Sequence, residues 1–255
     1  MSYASYFQLF FLILTESFWA FLSAEILCCA LFVVLCFWRW RLKGLAVYVC
    51  LGCVLSNIQV LKILSWSTTG PQFAGGTILF CSIFWAQDVI TEFYGQKKAM
   101  KVLGLSFFAS LMAALLMQFS LHAPAAAFAE NKLVQEALAV LFSPAPALFA
   151  ASILAYVASQ ALDIMILQTL KNKTGGRLVW LRSGLSSLVA TLADHVLFSF
   201  LAFQVFTAQP LPLAVWFQTY IVAGYALRIL LALFSPLIVY MGYAVAGEKG
   251  AESDV

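Results

Sequence analysis

The chain has 255 residues, of which 64% are hydrophobic and only 10% charged, which excludes a water-soluble globular fold, where about a quarter of residues are charged. At about 20 residues per crossing, this length holds about seven membrane spans with short loops and leaves no room for a separate soluble catalytic domain. A formal net charge of +3 is too small to point to nucleic acid.

Residues 1–14 lack a basic n-region and a small-residue cleavage site, so they are expected to lead into a retained helix rather than to be removed. The apolar run between Ser5 and Leu14 is interrupted at Glu16 before it reaches spanning length. Beyond it, apolar stretches of spanning length fall at about 18–37, 45–65, 73–95, 99–121, 147–170, 180–206 and 213–243. The expected architecture is therefore an all-α polytopic bundle, one integral membrane domain over residues 1–255. The connection between His122 and Pro146 is long enough for an amphipathic helix at the interface. All six cysteines, Cys28, Cys29, Cys36, Cys50, Cys53 and Cys81, lie in apolar surroundings in the first third. The Cys50–Cys53 pair has no second pair or nearby histidine to make a metal site, and no metal or cofactor is expected.

The cations sort by loop. Arg39, Arg41 and Lys43 follow span 1, Lys97, Lys98 and Lys101 join spans 3 and 4, Lys171, Lys173, Arg177 and Arg182 join spans 5 and 6, and Lys249 lies in the tail. These 11 of 14 cations fall on one side, so the positive-inside rule puts the N-terminus outside and the C-terminus in the cytoplasm of a cell inner membrane. Trp66, Trp180 and Tyr94 near span ends fit the interfacial preference of amphipathic rings.

Carboxylates inside a bilayer cost about 2.5–3.5 kcal/mol each at its centre and commonly mark a site or an ion path. Asp88 and Glu92 on span 3, Asp163 on span 5 and Asp194 on span 6 fall in this class, with Arg228 near the middle of span 7. The spacing of Trp85, Asp88 and Glu92 puts all three on one side of a helix, an aromatic plane beside two carboxylates. A planar cationic or amidine-like ring would use that arrangement. Ser159, Gln160 and Asp163 lie within about one turn, and Asn57 adds another amide. The alternative for each is structural: Asp194 paired with Arg228, Asn57 and Gln160 as interhelical hydrogen bonds, Glu92 capping an end beside Lys97. Lys62 can snorkel to the outer interface, and His195 reads as a packed polar residue. No GxSxG, HExxH or P-loop pattern is present, so an enzyme fits poorly and nucleotide hydrolysis by this chain is not expected.

Three segments, SNIQVLK (56–62), AGGTILFCSIFWAQDVITEFYGQKKAMKVL (74–103) and SQALDIMILQTLKNKTGGRLVWLRSGLSSLVATLADHVLFSFLAF (159–203), resemble the queuosine-precursor transporters, also called the vitamin uptake transporter family. The resemblance covers spans 2–6 and, more loosely, residues 220–236. It implies six core helices preceded by an extra one and import of a 7-deazaguanine base, the cyano or aminomethyl precursor of queuosine or the finished base queuine, for tRNA modification. Carried over by position, it supports Asn57, Asp88, Glu92, Gln160, Asp163 and Asp194 as motif residues. The chain departs from the family pattern at Arg228, where Lys is expected, and at Ser183, where Asn is expected. The candidate substrate-binding set is thus Asn57, Trp85, Asp88, Glu92, Gln160, Asp163, Asp194 and Arg228. The expected partners are a small-molecule nucleobase and membrane lipid, with a homodimer left open and no nucleic acid. The alternative function is a substrate-binding subunit that depends on a separate energy-coupling ATPase module.

Overall fold

A computed structural model describes residues 17–65, 72–124, 126, 129–142, 146–207, 210, 212–217 and 223–247. The lead-in at 1–14, Trp66 and most of the C-terminal tail lie outside them. The first helix, α1 (Phe18–Gln59), has 42 residues; run straight it would reach about 63 Å, twice the about 30 Å of a bilayer's hydrocarbon core. Instead the chain reverses at Arg41, which adopts φ 53 and ψ −134. A side chain on Gly44 would sit 2.4 Å from the carbonyl oxygen of Cys36, although eight residues of straight helix span about 12 Å. Glycine is what lets the two arms, 18–40 and 42–59, meet so closely. Trp38 and Trp40 immediately precede this turn and are exposed, as rings at a membrane interface would be.

A short antiparallel hairpin follows, β1 (Ile63–Ser65) paired with β2 (Gln72–Ala74), Ile63 opposite Ala74. This corrects the expectation of helix over 45–65 and 73–95: the helix stops at Gln59, and Lys62 sits exposed in the turn beyond it rather than inside a span. The next helix, α2 (Thr77–His122), has 46 residues and reverses at Gly95, φ 78 and ψ 168, a backbone region essentially reserved for glycine. The Gln87 amide lies 3.5 Å from the carbonyl oxygen of Ala99 across that turn. A short helix, α3 (Ala129–Phe142), precedes α4 (Pro146–Lys173) and α5 (Val179–Phe200), which runs on into a π-turn at Leu201–Val205.

The described part of the final stretch comprises α6 (Leu213–Trp216), α7 (Ala223–Ala232) and α8 (Ser235–Ala246); residues 218–222 lie outside the described residues, and the span expected over 213–243 is interrupted by a turn at Leu233 and Phe234. The break between α7 and α8 has a cause in Pro236. Its ring nitrogen cannot donate to Ala232, and the chain passes through a turn at Leu233 and Phe234 before α8 begins. The Leu231 carbonyl at this turn accepts the Phe234 N–H at 3.1 Å and the indole Nε1 of Trp85 at 3.0 Å.

Helices in lipid gain little from hydrophobic association with one another, so polar links and close packing hold them. Tyr48 and Ser82 join α1 to α2 at 2.6 Å, Ser106 and Tyr156 join α2 to α4 at 2.7 Å, and Ser152 bonds Asn57 at 2.9 Å. Large apolar side chains such as Leu31, Phe108, Phe119, Leu154 and Leu237 face outward. Five described helical stretches, the fifth running from Leu227 to Ala246 through the turn between α7 and α8, are long and apolar enough to cross a membrane. The chain is an all-α, multi-pass membrane bundle.

Candidate functional site

The first arm of α2 presents Trp85, Asp88 and Glu92 toward the broken end of the bundle, and each meets a different part of it. Trp85 reaches Leu231 and packs on Phe234 with ring centroids 6.1 Å apart. Asp88 reaches Ser235 at the start of α8, and Glu92 reaches Tyr243 two turns further on. The three therefore share one side of the helix, as their spacing requires.

At the centre lie Asp88, Asp163 and Gln160. Asp88 is 1% exposed, and its Oδ2 accepts hydroxyl bonds from Ser183 at 2.8 Å, from Ser187 at 2.9 Å and from Ser235. Its other oxygen, Oδ1, has no hydrogen-bond partner. The carboxyl of Asp163 adjoins that of Asp88 and lies near Ser186. Asp163 is 0% exposed, and neither of its oxygens has a hydrogen bond. Gln160, one turn earlier on α4, is also 0% exposed and leaves both its amide nitrogen and oxygen unused. Each unsatisfied buried polar atom costs about 1–3 kcal/mol, and buried polar groups are paired in the great majority of cases. Such a set of unpaired groups is a candidate place for a polar ligand to supply the missing partners.

The other candidate acids are paired. Glu92 is held by Arg182 in a fork, Nη2 to Oε1 at 2.6 Å and Nε to Oε2 at 3.2 Å, with Lys171 at 3.4 Å and the Tyr243 hydroxyl as further partners. Its partners are Arg182 and Lys171 rather than Lys97. Arg182 is 1% exposed, which corrects its assignment to a cytoplasmic loop: it enters the bundle on the first turn of α5 and also donates to the Arg177 carbonyl at 2.7 Å. Asp194 pairs with Arg228 at 2.7 Å and accepts from Ser159 at 3.3 Å, while the Arg228 guanidinium lies over the Phe80 ring at 5.8 Å. Asn57 donates to the Cys53 carbonyl at 2.8 Å and accepts from Ser152 at 2.9 Å, an interhelical link of the kind weighed as its alternative.

Of the eight sequence candidates, the structure thus gathers Asp88, Asp163 and Gln160 with polar atoms free. It engages Asn57, Glu92, Asp194 and Arg228 with one another or with the scaffold, and ties the Trp85 nitrogen to backbone. Ser183, Ser186, Ser187 and Ser235 also meet this acid pair and are missing from the candidate set, Ser183 having entered the sequence reading only as a departure from the family pattern. The first three recur at i, i+3 and i+4 on α5, one helix face, which was the available signal. Among the described residues no group of three or more His, Cys, Asp or Glu side chains is arranged to hold a metal.

Residues 74–242 match the family described as "Putative vitamin uptake transporter". The chain is also similar to a curated protein of Bacillus subtilis (strain 168), named "Probable queuosine precursor transporter". The two are 30% identical over 242 residues, covering 94% of this chain and 97% of that protein. No solved structure matches. The matched residues include Asp88, Glu92, Gln160, Asp163, Asp194 and Arg228, so the polar centre lies inside the region that carries the likeness, and the chain belongs to the vitamin uptake transporter family.

Proposed function

We propose that this transporter imports a 7-deazaguanine base, a precursor of queuosine or queuine itself, across the cell inner membrane to supply tRNA modification. The observation that carries this reading is the buried, unpaired set of Asp88, Asp163 and Gln160. A deazaguanine presents N1–H and an exocyclic amine side by side, which one carboxylate can accept as a bidentate pair, and a carbonyl to which a carboxamide N–H can donate. Asp163 and Gln160 carry the complementary groups within one turn of α4. The similarity to a protein named for queuosine-precursor transport favours this substrate over other planar bases. Neither comparison supports the reading as a subunit of an energy-coupling module.

The orientation that accompanies this function has the basic turns near Arg41 and Gly95 and the α4–α5 loop in the cytoplasm. Reporter fusions after Lys43, Lys101 and Arg177 should all read cytoplasmic, and a periplasmic signal at any of them would reverse the proposed topology. The substrate is tested by rescue: in a host unable to make queuosine precursors or take them up, the chain should restore queuosine in tRNA when the bases are fed. Absence of rescue with well-expressed protein and every base would refute the substrate class.

A further inference from the structure

We infer that the preferred substrate carries a positive charge on its side arm, so that among 7-deazaguanines the site selects one with an ammonium group, such as an aminomethyl arm, over the neutral nitrile. This rests on the deazaguanine reading and sharpens it. Asp88 and Asp163 bring two carboxyls side by side inside the bundle. The basic side chains that reach inward on the neighbouring helices are already committed, Arg182 and Lys171 to Glu92, and Arg228 to Asp194. Among the described residues no cation pairs with Asp88 or Asp163. Three serine hydroxyls satisfy Oδ2 of Asp88 but leave Oδ1 without a donor.

The acids do not make the argument alone, because Gln160, fully buried one turn from Asp163, also leaves both of its polar atoms unused. The amidine-like edge of the base fills the two oxygens of Asp163, and its carbonyl answers the Gln160 amide N–H. A neutral base then has nothing left for Asp88 Oδ1 and brings no charge to offset the second acid. An ammonium on a short arm supplies a donor and a positive charge together, and charge-assisted bonds are roughly twice as strong as neutral ones. A nitrile in the same place turns an acceptor toward a carboxylate, which selects against it.

The experiment uses the purified full chain in lipid nanodiscs near neutral pH, with a radiolabelled deazaguanine displaced by the 7-aminomethyl, 7-cyano and 7-methyl derivatives, the last as a size control. The aminomethyl base should bind at least about tenfold more tightly than either neutral one. Asp88→Asn, which keeps volume, should bring the ratio of affinities toward one, with Asp163→Asn as a second variant. If the nitrile binds as tightly as the aminomethyl base, or if both variants keep the full preference, the inference is overturned. Should all three bases bind alike, only this inference fails; should none bind, the deazaguanine reading falls and takes it along.

Discussion

Glu92 and Asp88 lie four residues apart on the same helix face, yet one is surrounded by cations and the other has none. Glu92 closes a clamp with Arg182, Lys171 and Tyr243 that ties α2, α4, α5 and α8 together. Asp88 receives only hydroxyls, and its neighbour Asp163 receives no hydrogen bond at all. Asp194 on α5 and Arg228 on α7 repeat the Glu92 solution. An acid inside a membrane protein is therefore not in itself a recognition group. What separates a structural carboxylate from one held for a ligand is the inventory of donors and cations around it.

The largest expected effect comes from breaking the clamp. In Glu92→Gln the Arg182 guanidinium is left buried without a counter-charge, at a cost of about 3–5 kcal/mol, seen as a lower unfolding midpoint in detergent. The double variant Glu92→Gln with Arg182→Gln should recover part of that loss, as contacting partners do in a mutant cycle. A single variant as stable as wild type would place Glu92 outside the scaffold. Asp163→Asn should do the reverse, leaving expression and unfolding near wild type while base binding falls by about 1–3 kcal/mol, roughly tenfold to a hundredfold. Asp194→Asn is its control and should lose stability before affinity. Equal behaviour of the two asparagine variants would erase the distinction between paired and unpaired acids. The smallest effect should be that of Ser235→Ala, which removes one of three hydroxyls on Asp88 and costs about 0.5–1.5 kcal/mol. It should register in base affinity rather than in protein level, and a change in protein level alone would make the hydroxyl structural.

Much of the bundle was legible because lipid imposes one demand on every span: twenty or so apolar residues with all backbone groups satisfied internally. The acid–base inventory of sequence likewise gave the Asp194–Arg228 pair as one option, since few cations lie at membrane depth. Other features answer to local chemistry that hydropathy averages away. Ile63, Leu64 and Phe73 are apolar enough to extend a span, but they pair as a hairpin. Arg182 was assigned to a loop because the positive-inside rule counts charges by position along the chain and cannot see that Glu92 waits one helix away. Ser187 and Ser235 were passed over, and Ser183 was noted only as a departure from the family pattern, because serine is cheap inside a membrane helix, where its hydroxyl bonds to the backbone; only the fold shows that these three turn to one carboxylate oxygen.

The break at Pro236 has an electrostatic consequence beyond the bend it makes. A helix that starts afresh exposes its first amide N–H groups and carries the equivalent of about half a positive charge at that end. α8 starts at Ser235, the residue whose hydroxyl touches Asp88, so the positive end of a twelve-residue helix is delivered to the one acid of the central pair that also holds the hydroxyls. Interrupted helices in transporters commonly turn such ends toward charged groups at membrane depth. Here the interruption sets a helix start beside Asp88 Oδ2, the oxygen that already holds the hydroxyls, while Asp88 Oδ1 and both oxygens of Asp163 stay unpaired.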